Sequence, residues 1–420
     1  MKLSWLLLAR LLAGGVGFLP PLVAASLLDG MQYGLGASSF AVGMLVIGPV
    51  AQYAKQGYLR SILLPDRPDI SAWHILIVFL ALVLAGMAVS HVAVGVPFAA
   101  LAAIFVAVAS LAIARIEEVR QVALDRQLLA VCLFYVVPPV MLTAMFAASW
   151  FFALRPDWMA ISLAMSAAYL VPSLLSVALR RGLAALAVQP MGMAHVRLLW
   201  SESRTFLVSG VVMSATESLP TLALTALGVP QAVATFELVR KLSSAVSVFL
   251  HGLSIAFAPR LIKAAAEQDW TTVRGTIWRN TQLSVAFAAV YLPLAVAAVL
   301  VLGRLGWIHA SVSFDLALPL FASAFVTCVA APFGMAVAAL NSEKWWVIGG
   351  FLGVASFAAT LVFAPLLGAA QTVAVAVLLQ NLVLSVTIGL VVSKLVFQHL
   401  REDAGRASTR DRRTLALEPE

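Results

Sequence analysis

The chain alternates long apolar runs with short polar turns, and the pattern predicts twelve membrane-crossing helices. The runs fall at 4–28, 35–57, 72–92, 96–114, 128–150, 158–179, 206–227, 232–256, 281–302, 316–340, 346–366 and 371–393. About 20 apolar residues of helix cross a bilayer core, whereas a barrel strand needs about half as many, so helices are the fitting element. Residues 70–114 and 345–393 contain no Asp, Glu, Lys or Arg. Each is about twice one span in length. Gly95-Val-Pro97 breaks the first near its middle and Pro365-Leu-Leu-Gly368 the second, so both read as helical hairpins.

Basic residues orient the spans. With the amino terminus in the cytoplasm, 22 of the 27 Lys and Arg residues face inward. Arg155 and Arg304 face outward, and Arg10, Arg240 and Lys241 lie within spans. This asymmetry predicts an even number of spans with both termini cytoplasmic. It also accounts for the net charge of +8, leaving no nucleic-acid partner to invoke. Composition agrees: 62% of residues are apolar and 11% charged, against about 25% charged in soluble domains. The run from Lys2 to Ala25 imitates a secretory signal. Arg10 and Pro20-Pro21 interrupt its core, so it reads as a retained first span.

The predicted organisation is two halves of six spans each, at 1–179 and 206–393. A cytoplasmic connector at 180–205 joins them, and a disordered cytoplasmic tail at 394–420 follows. The connector and residues 259–279 carry basic residues among Leu, Met and Trp, which predicts amphipathic helices on the inner leaflet. A shift of 198 residues aligns the turn at Gly30–Phe40 with that at Gly228–Leu238, as an internal duplication would. The outer loops are short and offer little beyond Asp29, Arg155, Asp157 and Arg304, which argues against an outward-facing enzyme. The six histidines are scattered without metal-ligand spacing, and no phosphate loop or nucleophile elbow is present. Cys132 and Cys328 read as small core residues. The sequence therefore predicts no enzyme activity, no cofactor and no metal.

Charges inside the spans are the candidate chemistry. One ionised group at mid-bilayer costs about 2.5–3.5 kcal/mol on insertion scales, so such groups face partners or water. Glu217 precedes the outer turn at Gly228-Val-Pro-Gln231 by about as many residues as Arg240 and Lys241 follow it. Equal helix rise puts the three at similar depth. Glu237 shares a face with Lys241 at i+4 and neighbours Arg240 at i+3. Positions 240 and 241 differ by about 100° around the helix, so both cations cannot point at Glu217. Arg10 in the first span is a fifth candidate, ahead of a glycine- and proline-rich kink. Gln52, Tyr53, Lys55, Asn280, Gln282 and His251 are weaker ones.

Several short stretches resemble one family. They are Arg10 with the glycine-rich first span, Leu28-Asp29-Gly-Met-Gln-Tyr33-Gly34, Ala232 through Leu242, Ala258-Pro259-Arg260-Leu261, and Phe363-Ala-Pro365-Leu-Leu-Gly368. Together they are similar to the Wzx-type polysaccharide (O-antigen and exopolysaccharide) flippases of the multidrug/oligosaccharidyl-lipid/polysaccharide exporter superfamily. The resemblance implies two six-helix bundles around a central cavity that opens alternately to each side and carries cations for an anionic, diphosphate-linked lipid glycan. It maps Arg240 and Arg10 onto the family's eighth- and first-helix arginines.

The resulting expectation is a flippase for undecaprenyl-diphosphate-linked oligosaccharide in the bacterial inner membrane. Arg240, Lys241 and Arg10 would bind substrate, while Glu217 and Glu237 hold those cations or couple an ion. Its partners would be the lipid-linked glycan, membrane lipids and other polysaccharide assembly proteins. The alternative is a drug or cation antiporter of the same superfamily, which a carboxylate-rich cavity would favour. A membrane-embedded glycan polymerase or transferase is a third class.

Overall fold

A computed structural model describes residues 30–63, 98–123, 126–152, 157–179, 193–229, 232–246, 267–304, 314–340 and 344–415, with isolated positions between them. The first predicted span, the third except Ala88 and His91, Arg10 and His251 lie outside the described residues. All regular structure among the described residues is helical. In chain order the helices are α1 (Gly30–Leu63), α2 (Phe98–Ala123), α3 (Gln127–Val131), α4 (Val137–Phe151), α5 (Trp158–Ala178), α6 (Met193–Ala226), α7 (Ala232–Ser244), α8 (Trp270–Arg304), α9 (Phe314–Ala339), α10 (Lys344–Thr360), α11 (Ala364–Leu367) and α12 (Ala369–Leu415). A π-helical turn at Cys132–Val136 makes α3 and α4 one continuous span. Among the described residues, six helices are long and apolar enough to cross a membrane.

Two predicted breaks are built by glycine. Leu224 and Thr225 carbonyls accept from the Val229 and Gly228 amides, a Schellman closure that ends α6 with Gly228 at φ +77°. Gly368 at φ +84° separates α11 from α12, after a 3-10 turn at Leu361–Phe363.

Three predicted boundaries differ. Residues 193–205 of the connector continue α6 rather than forming a separate helix. Residues 270–279 likewise open α8. A basic amphipathic pattern reads the same whether its helix lies on the bilayer or extends a span into the interface. The chain also stays helical to Leu415, where a disordered tail was expected from 394. Its first turns are docked, because His399 stacks on Trp270 at 4.1 Å and Arg274 lies 5.8 Å above the Phe397 ring.

Helix α1 runs antiparallel along α6. Ser38 hydrogen-bonds Thr225 at one end of this contact, and Gly48 faces Ser214 towards the other. Helix α2 packs on α1 and α5, and α12 packs on α9 and α10. One apolar core joins Tyr33, Phe146 and Ala168 to Phe236, Phe321, Phe357 and Val377. A second, at the basic end of α8, gathers Leu261, Trp270, Ile277, Val337 and Val392.

The α10–α12 contact depends on small residues, as helix pairs in lipid generally do. A Cβ on Gly353 would lie 2.9 Å from the Gln380 carbonyl oxygen, and one on Gly349 3.1 Å from Leu384. The first obstacle is backbone and cannot yield as a side chain can. Gly353→Val should therefore destabilise the protein by about 1–3 kcal/mol, measured as a lower unfolding temperature in detergent.

Asp269 caps α8 through one carboxylate oxygen, which accepts from the Thr271 hydroxyl at 2.6 Å and the Thr272 amide at 3.0 Å. Those bonds hold its carboxyl down at about 2, below the ordinary value of about 3.9. A depressed carboxyl stabilises the fold above the unfolded-state value and loses that contribution as pH falls through the folded one. Asp269→Ala should remove this component of acid destabilisation between about pH 4 and 2, read from unfolding temperature against pH.

Candidate functional site

The predicted charges converge where α1, α6 and α7 meet. Glu237 on α7 is only 7% exposed. One of its carboxylate oxygens accepts from the Thr221 hydroxyl of α6 at 2.5 Å. The other accepts from Arg240 Nη2 at 2.9 Å and Nε at 3.3 Å. The guanidinium's remaining arm, Nη1, donates to the backbone carbonyl of Glu217 at 2.7 Å. A planar fork with five N–H groups suits such a three-point hold, which a point-charge ammonium cannot reproduce.

Local sequence makes this possible. Pro220 lacks the amide that would bond the Thr216 carbonyl, so it loosens the turn of α6 that contains Glu217. Thr221 follows directly and reaches Glu237. Tyr33 of α1 is buried beside the pair, within electrostatic reach of both charges. Below Thr221, Thr225 links to Ser38, so α1 joins the same polar seam. Helix α7 ends at Ser244, where the Ser243 and Ser244 hydroxyls turn back to the Arg240 and Lys241 carbonyls. Tyr291 of α8 donates to the Leu242 carbonyl at 2.7 Å and ties down that end.

Glu217 and Lys241 stand outside this network. Both side chains are exposed, and neither forms a hydrogen bond or ion pair with a described residue. The four predicted charges are thus brought together in depth but not into one cluster. Arg240 and Glu237 neutralise each other, Glu217 contributes its backbone, and its carboxylate and the Lys241 ammonium stay open.

A second polar cluster was not singled out from sequence. Arg115 on α2 pairs with Glu118 at 3.0 Å and lies 4.8 Å above the Tyr135 ring, whose hydroxyl donates to Glu118 at 2.6 Å. Gln121 donates to Ser176 at 2.7 Å, and Ser176 to Glu117 at 3.1 Å. Glu117 and Glu118 are both buried. The available signal was two adjacent carboxylates within a helical continuation of span four. Asn280 is buried on α8, and Gln282 is exposed. The side chains of Gln52, Tyr53 and Lys55 lie outside the described set. No group of three or more potential metal ligands occurs among the described residues.

No protein-family model and no curated protein matches the sequence. Solved structures do. An inward-facing multidrug-resistance MATE family transporter of the MOP superfamily superposes with a TM-score of 0.60 at 14% identity, over 94% of this chain and 96% of that one. The Vibrio cholerae MATE transporter VcmN in its bent form gives 0.57 at 17% identity, over 95% and 97%. The eukaryotic MATE transporter AtDTX14 gives 0.54 at 12% identity, over 96% and 98%. The chain has a MATE-transporter fold. At these identities the likeness is one of fold, and it covers nearly the whole length of each chain. These MATE-fold neighbours are transporters rather than enzymes.

The geometry separates the two carboxylates. Glu237→Gln leaves a largely buried guanidinium with its backbone partner but no counter-charge, and should destabilise the protein by about 2 kcal/mol. Glu217→Gln should lower the unfolding temperature far less, since that carboxylate makes no hydrogen bond or ion pair with a described residue and acts on Arg240 only through space. Thermal unfolding of the two purified variants in detergent distinguishes them.

Proposed function

We propose that the chain is an alternating-access membrane transporter of the antiporter type, exchanging organic or drug-like cations, with Glu217 as the carboxylate that meets the cation. The observation that carries this reading is the pairing of Arg240 with Glu237. It takes one cation and one carboxylate out of play and leaves the Glu217 carboxylate open. The remaining open charges are one carboxylate and one ammonium, at similar depth on neighbouring helices. An exposed carboxylate at that depth persists where it meets water, a cation or a proton. The MATE-fold neighbours, described as multidrug-resistance and MATE transporters, support the same reading.

The flippase remains a second reading on one observation. Lys241 is exposed and without a described partner, as a residue contacting a diphosphate-linked glycan would be. Arg240, held on three sides, would then position its neighbour rather than bind substrate directly.

The two readings part in one experiment. Cells expressing the protein are loaded with a cationic dye, and efflux is followed alongside surface polysaccharide in a flippase-deficient strain. The antiporter reading expects efflux above the empty-vector control, reduced severalfold by Glu217→Gln at unchanged protein level. Restoration of surface polysaccharide, lost in Lys241→Ala and retained in Glu217→Gln, with no dye efflux, overturns it in favour of the flippase.

A further inference from the structure

A cleft of about 350 Å³ opens beside the first turns of α8, at the basic end of the helix and away from the charges on α7. Its walls are Arg260 and Arg279, with Phe257 at one side. Gly275 opens its floor, since a Cβ there would meet nothing within 4 Å. Thr271, Thr272 and Thr276 line the same face of the helix. Thr276 is 4% exposed, and its hydroxyl makes no hydrogen bond with a described residue although it faces the cleft.

The electrostatics are one-sided. Neither Arg260 nor Arg279 pairs with a carboxylate among the described residues. The nearest acids in sequence are already engaged: Asp269 by Thr271 and Thr272, Glu267 by Lys263 at 3.8 Å. Two arginines and the Thr276 hydroxyl thus line one concave space with no acceptor among the described residues to satisfy them. A tetrahedral phosphate fits this donor set, because its oxygens can accept from both forks and from the hydroxyl together. The depth fits as well. Trp278, 64% exposed beside Arg279, marks a membrane interface by its amphipathic ring.

We propose that this cleft is a phosphate-binding site formed by Arg260, Arg279 and the Thr276 hydroxyl. An anionic phospholipid headgroup and free inorganic phosphate share that chemistry. The site is separate from the transport reading and stands or falls without it.

The test uses the full-length protein, purified in neutral detergent and stripped of lipid. Phosphatidylglycerol and inorganic phosphate are titrated separately, with binding read as the rise in unfolding temperature. The double variant Arg260→Gln/Arg279→Gln should weaken apparent affinity by about tenfold or more. Arg304→Gln, at the far end of the same helix, should leave it unchanged. A response to phosphatidylglycerol alone identifies the lipid as the ligand, and an equal response to inorganic phosphate identifies a soluble phosphate. Thr276→Val removes only the buried hydroxyl and should weaken the same probe by a smaller factor, so it decides the matter if the double variant does not fold. Wild-type affinity in both variants, or no response to either probe, overturns the site.

Discussion

The grip on the Arg240 guanidinium organises the centre of this chain. Lipid offers no partner for a polar group, so charges held at mid-bilayer must be satisfied by the protein itself. One side chain here bonds both the Glu237 carboxylate, one turn earlier on its own helix, and the Glu217 carbonyl on α6. Thr221 holds the other carboxylate oxygen, and Thr225 passes the contact to Ser38 on α1. Three helices are thereby joined by a continuous polar seam set in an apolar core. The turn at Gly228 places α6 and α7 side by side, and the seam fixes how they meet.

Much of this was legible in the residues. Equal helix rise from a common turn placed Glu217 opposite Arg240, and the i, i+3 spacing placed Glu237 beside it. Which atom of Glu217 would be used was not legible. A backbone carbonyl leaves no trace in a side-chain pattern, and only Pro220 hinted that this turn was loosened. Helix ends were misread for a related reason. Residues 193–205 and 270–279 have the basic, amphipathic composition of interfacial helices, and that composition is equally right for the part of a span that emerges from lipid. Glu117 and Glu118 were obscured by the same effect. They lie among the basic residues Arg115 and Arg120, and the π-helical turn at Cys132–Val136 brings Tyr135 onto Glu118.

Counting formal charges differs from counting the groups still free to meet a substrate. By sequence, the interior of spans seven and eight holds two cations beside two carboxylates, and geometry forbids both cations from facing Glu217. That favoured an anion. Once Arg240 and Glu237 are spent on each other, the open groups are one of each sign. Arg240 then acts as structure, joining Glu237 to the Glu217 carbonyl on the neighbouring helix.

This division of labour suits exchange. On the proposed antiporter reading, a cation arriving at the exposed Glu217 carboxylate would replace water there without any change in the pinned seam behind it. A carboxylate locked in a salt bridge is less suited to that role, because a new partner would have to displace the guanidinium. Glu237 is so locked by Arg240, and the Glu217 carboxylate makes no such bond with a described residue. On that reading the open carboxylate is the group that meets the substrate, and the buried pair is the fixed frame it works against.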